Sequence, residues 1–278
     1  MLFLRFEMFK CDYHTHSMFS FDGVDSPDEL CEAAIARGVT DLAITDHFEC
    51  NLKADGAYAE YNADAAYIAI ASAKEKYKNK INLSYGIELG QPNHYPEEAE
   101  RLLGSYDFDF VIGSVHNLFN APDFYYYDFT KIDNDDYISL LFEKNVKEIC
   151  DAIDICDRID TVAHLTYMHR YVAVAGKKHD FTKHFESVSK LYEKMISKGV
   201  ALEVNVSTLW RGLGFTMPTA DFLALYKECG GKLVTVGTDS HGIAHVGECI
   251  EDGFALLRSI GLNDVVVVRN GQKTVVKI

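Results

Sequence analysis

The sequence predicts an α/β protein built as one domain over residues 1–278, a barrel of about seven βα units followed by a C-terminal hairpin. Three observations lead there. Short β-rich runs alternate with longer stretches of helical periodicity. The run ends repeatedly carry histidine or a carboxylate, as expected where C-terminal strand ends meet at one face of a barrel. No linker rich in Pro or Ser divides the chain, which holds only 5 Pro, and α/β barrels of this length run as single units.

The elements follow in order. Met1 to Lys10 is apolar but short and has no small-residue cleavage site, so no signal peptide is expected. Strands are placed at Lys10–Tyr13, Asp41–Thr45, Asn82–Leu89, Asp109–Val115, Thr161–Ala163, Ala201–Val206 and Leu233–Gly237. The first helix has the clearest boundaries. Ser26 caps it, Pro27 takes the first helical position, Glu29 completes a capping box and Gly38 suits a left-handed end. Further helices are expected at Ala57–Tyr77, Glu97–Leu103, Asp135–Arg158, Thr182–Lys198, Thr219–Cys229 and Gly247–Ile260. The tail, Val265–Val268, Asn270-Gly271 and Lys273–Ile278, reads as a hairpin with a type I′ turn, peripheral to the barrel.

Composition narrows the function. Of 278 residues, 48% are hydrophobic and 25% charged, which excludes a disordered chain. No apolar run approaches the ~18 residues of a membrane span. The 27 basic and 42 acidic residues leave a net charge of −15, which argues against nucleic acid as a partner. Seven cysteines without a C-x-x-C pair point to reduced thiols and a cytoplasmic protein. Nothing in the composition fixes the oligomeric state.

Six histidines lie just past expected strands: His14 and His16 in Asp12-Tyr-His-Thr-His16, His47 in Thr45-Asp-His47, His116 in Gly113-Ser-Val-His116, His164 in Val162-Ala-His164, and His241 in Gly237-Thr-Asp-Ser-His241. Glu88 and Asp239 occupy equivalent places. In an extended His-x-His segment both rings face one side and can chelate one ion. Imidazole and carboxylate donors together suit Zn, Mn or Fe. A single histidine after a strand is ordinarily a hydrogen-bonded residue; ligand types at six strand ends point instead to a multinuclear metal site. Eight donors exceed the three or four that one catalytic metal takes, so two ions are expected, with Glu88 as the natural bridge. Asp22, in Ser20-Phe-Asp22-Gly23, would add a third centre with His47 and His241, although an Asp-Gly step is by itself a turn former.

These ordered motifs, from Asp12 to His241, resemble those of the polymerase-and-histidinol-phosphatase (PHP) superfamily, and most closely its histidinol-phosphate phosphatases. The resemblance implies a distorted TIM-like (β/α)7 barrel with two or three divalent metals. It assigns His14, His16, Glu88 and Asp239 to one ion, Glu88, His116 and His164 to a second, and Asp22, His47 and His241 to a third. Hydrolysis of L-histidinol phosphate by a metal-bridging hydroxide would follow, with His47, Asp239 and His241 acting through it.

A phosphate dianion also calls for guanidinium. Arg170 and Arg211 follow the fifth and sixth strands and are the substrate-binding candidates, and His169 is the candidate proton donor to the leaving group. The loop Asn117–Phe129 is rich in aromatics and acids, either to hold an imidazole and an ammonium group or to plug the barrel. Alternatives are a non-catalytic metal-binding module, another phosphoesterase of the superfamily acting on nucleotides or small phosphate esters, and a metal-dependent amidohydrolase. The missing lysine on strand four, where many amidohydrolases carry a carboxylated bridging lysine, weighs against the latter.

Overall fold

The computed structural model describes residues 9–51, 61–269 and 271–278. The expected helix start at Ala57, the Asn270 turn residue and most of the Met1–Lys10 segment lie outside them.

The chain folds as a parallel barrel. Strands β1 (Cys11–Thr15), β2 (Asp41–Ile44), β3 (His47–Glu49), β4 (Asn82–Gly90), β5 (Phe110–Ser114), β6 (Thr161–Val162), β7 (Ala201–Asn205) and β8 (Val234–Gly237) form one sheet. Its order is β1-β2-β4-β5-β6-β7-β8, with β3 also on β4. The pairings Ile44–Tyr85 and His47–Glu88 keep one register, so β2 and β3 are a single strand interrupted at Thr45 and Asp46. That makes seven strand positions. The seam closes where His16 N–H donates to Ser240 C=O (2.7 Å) and Asp239 N–H to His14 C=O (2.8 Å). Leu42, Ala43 and Ile44 are all fully buried, as expected of parallel strands covered on both faces.

Around the sheet lie α1 (Pro27–Ala36), α2 (Ala63–Tyr77), α3 (Pro96–Ser105), α4 (Asp135–Ile155), α5 (Tyr167–Val174), α6 (Phe185–Lys198), α7 (Ser207–Trp210), α8 (Ala220–Glu228) and α9 (Ile250–Ile260). Helix α1 carries the expected capping box: Ser26 N–H donates to Glu29 Oε2 at 2.8 Å, and Glu29 N–H to Ser26 Oγ. Gly199 and Gly261 end α6 and α9 with φ of +69° and +81°, where any side chain would be strained. The sequence pattern does not reveal α5 and α7, because both are too short to show helical periodicity.

One bulge matters for the site. Asp12 pairs with Leu42 but Thr15 with Ile44, so β1 holds one residue more than its partner. Neighbours Tyr13 and His14 therefore reach the same interior: Tyr13 meets Ser84 and Phe110, and His14 meets Glu88. Ser84 and Glu88 share a face of β4.

The C-terminal hairpin, β9 (Asp264–Arg269) and β10 (Gln272–Lys277), is a separate antiparallel sheet. It is not peripheral as the sequence suggested. Val265 and Val267 are fully buried. Val268 C=O accepts from Tyr13 Oη (3.1 Å) and Asn82 Nδ2 (2.6 Å), and Arg269 forks onto Asp41 at 2.7 and 2.8 Å. Asp41 and Asn82 sit at the starts of β2 and β4, so the hairpin seals the end of the barrel opposite the histidines. A run of four valines is buried because it is this floor. Among the described residues, no helix is long and apolar enough to cross a membrane, and all seven cysteines are free.

Candidate metal centre and phosphate pocket

The strand ends bring the six histidines, Glu88 and Asp239 into one buried cluster. Glu88, from β4, lies at its centre. Its carboxylate is 3.2 Å from His14 Nε2, 3.5 Å from His16 Nε2, 2.9 Å from His47 Nδ1, 3.1 Å from His116 Nε2 and 3.0 Å from His164 Nε2. Asp239 approaches His16 Nε2 to 3.5 Å and His14 Nε2 to 3.8 Å. Asp22, half exposed on the loop after β1, reaches His241 Nε2 at 3.2 Å and His47 Nε2 at 3.8 Å.

The other ring nitrogens are held from behind. His14 Nδ1 meets Glu203 at 2.6 Å, His16 Nδ1 meets Ser20 Oγ at 3.1 Å, His116 Nδ1 meets Glu49 at 3.0 Å and His241 Nδ1 meets its own strand end at Asp239 C=O, 3.0 Å. Asp46 anchors Ser20 and Ser17 in turn. A ring whose Nδ1 is engaged presents Nε2 as a lone pair, which is how protein imidazoles bind metals.

The donors gather in groups whose ligand atoms lie within 4.8 Å of one another: His14, His16 and Asp239; Glu88, His116 and His164; His16, His47 and His241; and His47, Glu49 and His116. Among the described residues, five buried atoms of these groups, His14 Nε2, His16 Nε2, His47 Nδ1, Glu49 Oε2 and Glu88 Oε2, have no hydrogen-bond partner. Such atoms are costly unless something fills their need. The residues therefore fit divalent cations.

Electrostatics point the same way. Burial opposes a charged Glu88, yet His47, His14 and His116 outweigh it and hold the acid well below the ordinary range. Asp239 behaves likewise, with His14 the strongest opposing influence. At Asp22 the His241 hydrogen bond overrides burial and brings the carboxyl to about 2. Burial at His47 is overcome by Glu88 and Glu49, raising the ring to about 10. Two ligand-type residues have left-handed backbones, His164 at φ +25° and Asp239 at φ +52°. Strain of this kind, about 1–3 kcal/mol per residue, concentrates at functional sites.

The cluster opens into a cavity of about 1000 Å³. Arg170 and Arg211 both line it. Arg170 lies 3.8 Å from Asp239 and over the rings of Tyr167 and Tyr171, at 4.7 and 4.8 Å. The guanidinium of Arg211 rests 4.2 Å from the Trp210 ring centre and, among the described residues, forms no ion pair. Burial and the nearby Arg170 charge lower its pKa. Two guanidiniums thus line the same cavity, close enough for their charges to repel one another.

The aromatic loop divides its roles. Phe124 and Phe129 are buried and plug the loop onto the barrel, while Tyr125 and Tyr126 stay exposed and line the cavity. Asp128 also lines it, but caps its own turn and pairs with Lys131.

His169 is the one candidate that the fold keeps apart. Its ring stacks on Phe215 at 4.4 Å, packs against Phe181 at 4.7 Å and does not line the cavity. The structure sets it on α5 next to Arg170, where successive helical residues face different directions. Sequence reasoning also missed Glu49 and Glu203. The signal for Glu203 lay in the strand without a ligand, Ala201–Val206, whose buried acid has no other reason to sit inside a barrel.

The model of the PHP domain matches residues 12–207. Among curated proteins, the chain is 28% identical to the histidinol-phosphatase of Lactococcus lactis over 93% of this chain and 94% of that one. It is 25% identical to a probable histidinol-phosphatase of Clostridium acetobutylicum over 91% and 95%. Among solved structures, a crystal structure of the histidinol phosphate phosphatase of Lactococcus lactis, complexed with Zn, L-histidinol and phosphate, superposes with a TM-score of 0.80 at 24% identity, covering 95% of this chain and 98% of that one. A seven-position barrel with a floor hairpin, its histidines at the strand ends and a domain match over most of its length together place this chain in the PHP domain family.

Proposed function

We propose that this chain is a metal-dependent phosphomonoesterase that hydrolyses L-histidinol phosphate to L-histidinol and phosphate, a step of histidine biosynthesis in the cytoplasm. The observation that carries this reading is the meeting, in one cavity, of the imidazole–carboxylate cluster and two guanidiniums. Two of the family relatives that match nearly the whole chain are named for the same reaction.

His14, His16, Glu88 and Asp239 would hold one divalent ion, Glu88, His116 and His164 a second, and Asp22, His47 and His241 a third. The Zn in the Lactococcus lactis structure supports zinc as one of the ions. Bound there, such ions supply Lewis-acid charge and acidify water towards neutral pH.

The chain's own groups do the rest. A net charge of −15 repels a phosphate dianion, so positive charge must be placed locally. Arg170 and Arg211 bind the phosphoryl oxygens from the cavity wall, and Tyr167 and Tyr171 keep the Arg170 guanidinium in place. Glu49 and Ser20 orient His116 and His16. The exposed rings of Tyr125 and Tyr126 line the same cavity and would contact the alcohol half of the substrate. No proton transfer is assigned to His169, which stands outside the cavity.

The test is a panel of phosphomonoesters with metal analysis of the same sample. Phosphate release is expected to favour histidinol phosphate at least tenfold in kcat/KM. Equal or better turnover of nucleotides or sugar phosphates would move the assignment to another phosphoesterase, and ammonia release from amides or nucleobases without phosphate release would discard it.

A further inference from the structure

We infer that Glu203 is the positioning residue that couples two of the cation sites, fixing one ligand of each; the inference rests on reading the strand-end cluster as cation ligands. Glu203 lies in β7, the one strand position that contributes no direct ligand. It is 1% exposed. Its two oxygens do different work. Oε1 accepts from His14 Nδ1 at 2.6 Å, and Oε2 accepts the backbone N–H of His164 at 2.7 Å. His14 belongs to the group with His16 and Asp239, and His164 to the group with Glu88 and His116.

The first contact sets a tautomer. With Nδ1–H given to the carboxylate, His14 has only Nε2 as a lone pair, and that atom faces Glu88 and Asp239 without a hydrogen-bond partner. The second contact holds a strained backbone. His164 has φ +25°, and its N–H has a charged acceptor in this conformation. Asn205 Nδ2 donates to the same Oε2 at 3.2 Å and steadies it from its own strand.

The neighbouring strand makes room for this arrangement. A Cβ on Gly237, in β8, would stand 2.3 Å from His14 Cβ and 2.9 Å from Glu203 Oε1. Glycine at this position lets the pair close across β7 and β8. One carboxylate thereby ties β1, β6 and β7 together behind the cations.

The test compares the parent protein with Glu203→Gln and Glu203→Ala. Metal is removed, the proteins are equilibrated at a series of buffered free Zn concentrations, and bound Zn is measured by elemental analysis. Gln faces the His164 N–H with either an amide oxygen or an NH2 group and cannot serve both contacts as a carboxylate does. Half-saturation is expected to move to at least tenfold higher free Zn in both variants, with losses exceeding one site's worth of metal. Parent-like metal binding in Glu203→Gln would overturn the inference, and so would loss confined to one site. This readout needs no substrate, so it stands apart from the identity of the phosphoester. Should the variants fail to fold, nitrogen-15 NMR of histidine-labelled, zinc-loaded parent protein decides. His14 is expected as the Nδ1–H tautomer, with that proton protected from exchange, and an Nε2–H tautomer would overturn the inference.

Discussion

Asp12 and Thr238 lock the first strand to the last: the buried Asp12 carboxylate accepts from Thr238 N–H at 2.9 Å and from Thr238 Oγ1 at 2.7 Å. It also accepts Gly247 N–H at 2.8 Å. Backbone pairing between β1 and the β8 end is limited to the stretch around Thr15 and Ser240. A side chain therefore completes the seam below the histidine–carboxylate cluster. Asp12→Ala would remove the carboxylate that accepts from Thr238 N–H, Thr238 Oγ1, Gly247 N–H and His14 N–H. We expect a loss of about 3 kcal/mol and a fall in Tm of about 5 °C, read by thermal unfolding. A change within 1 °C would mean that the seam does not depend on this carboxylate.

Metal removal has two expected effects. A strong chelator should abolish phosphate release, and it should lower Tm, because ions bound only by the folded state stabilise it. Glu88→Gln should reproduce both effects without chelator, since Glu88 touches five imidazoles. Full activity in a chelated sample that elemental analysis finds metal-free would exclude the metal mechanism.

The arginines should act on substrate rather than on metal. Arg170→Ala and Arg211→Ala are each expected to lower kcat/KM about 10- to 100-fold, the scale of a lost charged hydrogen bond, at parent metal content. Arg170→Lys should recover little, because a lysine cannot reproduce a guanidinium lying on two tyrosine rings. Parent-like kinetics in both alanine variants would remove them from phosphate binding.

Phe124 should matter for stability before it matters for substrate. Its ring is fully buried, so Phe124→Ala is expected to cost about 3–5 kcal/mol in denaturant unfolding. Tyr126→Ala, by contrast, should leave stability within about 0.5 kcal/mol and change KM, since that ring is exposed on the cavity wall. The opposite pattern would make the whole loop a plug.

His169 makes a pH prediction. Burial, with a smaller contribution from His179, lowers its pKa to about 4. The unfolded chain, with a histidine pKa of about 6.5, then takes up the proton first as pH falls. Stability attributable to this ring is constant above about pH 6.5 and is lost between there and about pH 4. His169→Phe removes that dependence. We expect the variant to gain about 1 kcal/mol on the parent between pH 7.5 and pH 5, allowing for the ring's partial exposure. Phosphate release should keep its pH profile. A lost acidic or basic limb in that profile would return His169 to the reaction.

The alternating βα plan, the α1 boundaries and the strand-end donors are legible in the linear chain. Each of these is written locally: Ser26, Pro27, Glu29 and Gly38 act within one helix, and a histidine at a strand end is visible from spacing alone. The folded chain alone shows that the valine hairpin is the barrel floor, because Tyr13, Asn82 and Val268 are far apart along the sequence. It also decided which acid stands behind a given ring. Glu49 and Glu203 sit behind His116 and His14 from other strands, and no local pattern states which acid a ring nitrogen will meet. His169 and Arg170 show the same limit at its shortest range. They are neighbours in sequence, yet a helical turn of about 100° per residue sends one ring into an aromatic stack and the other side chain to the cavity wall.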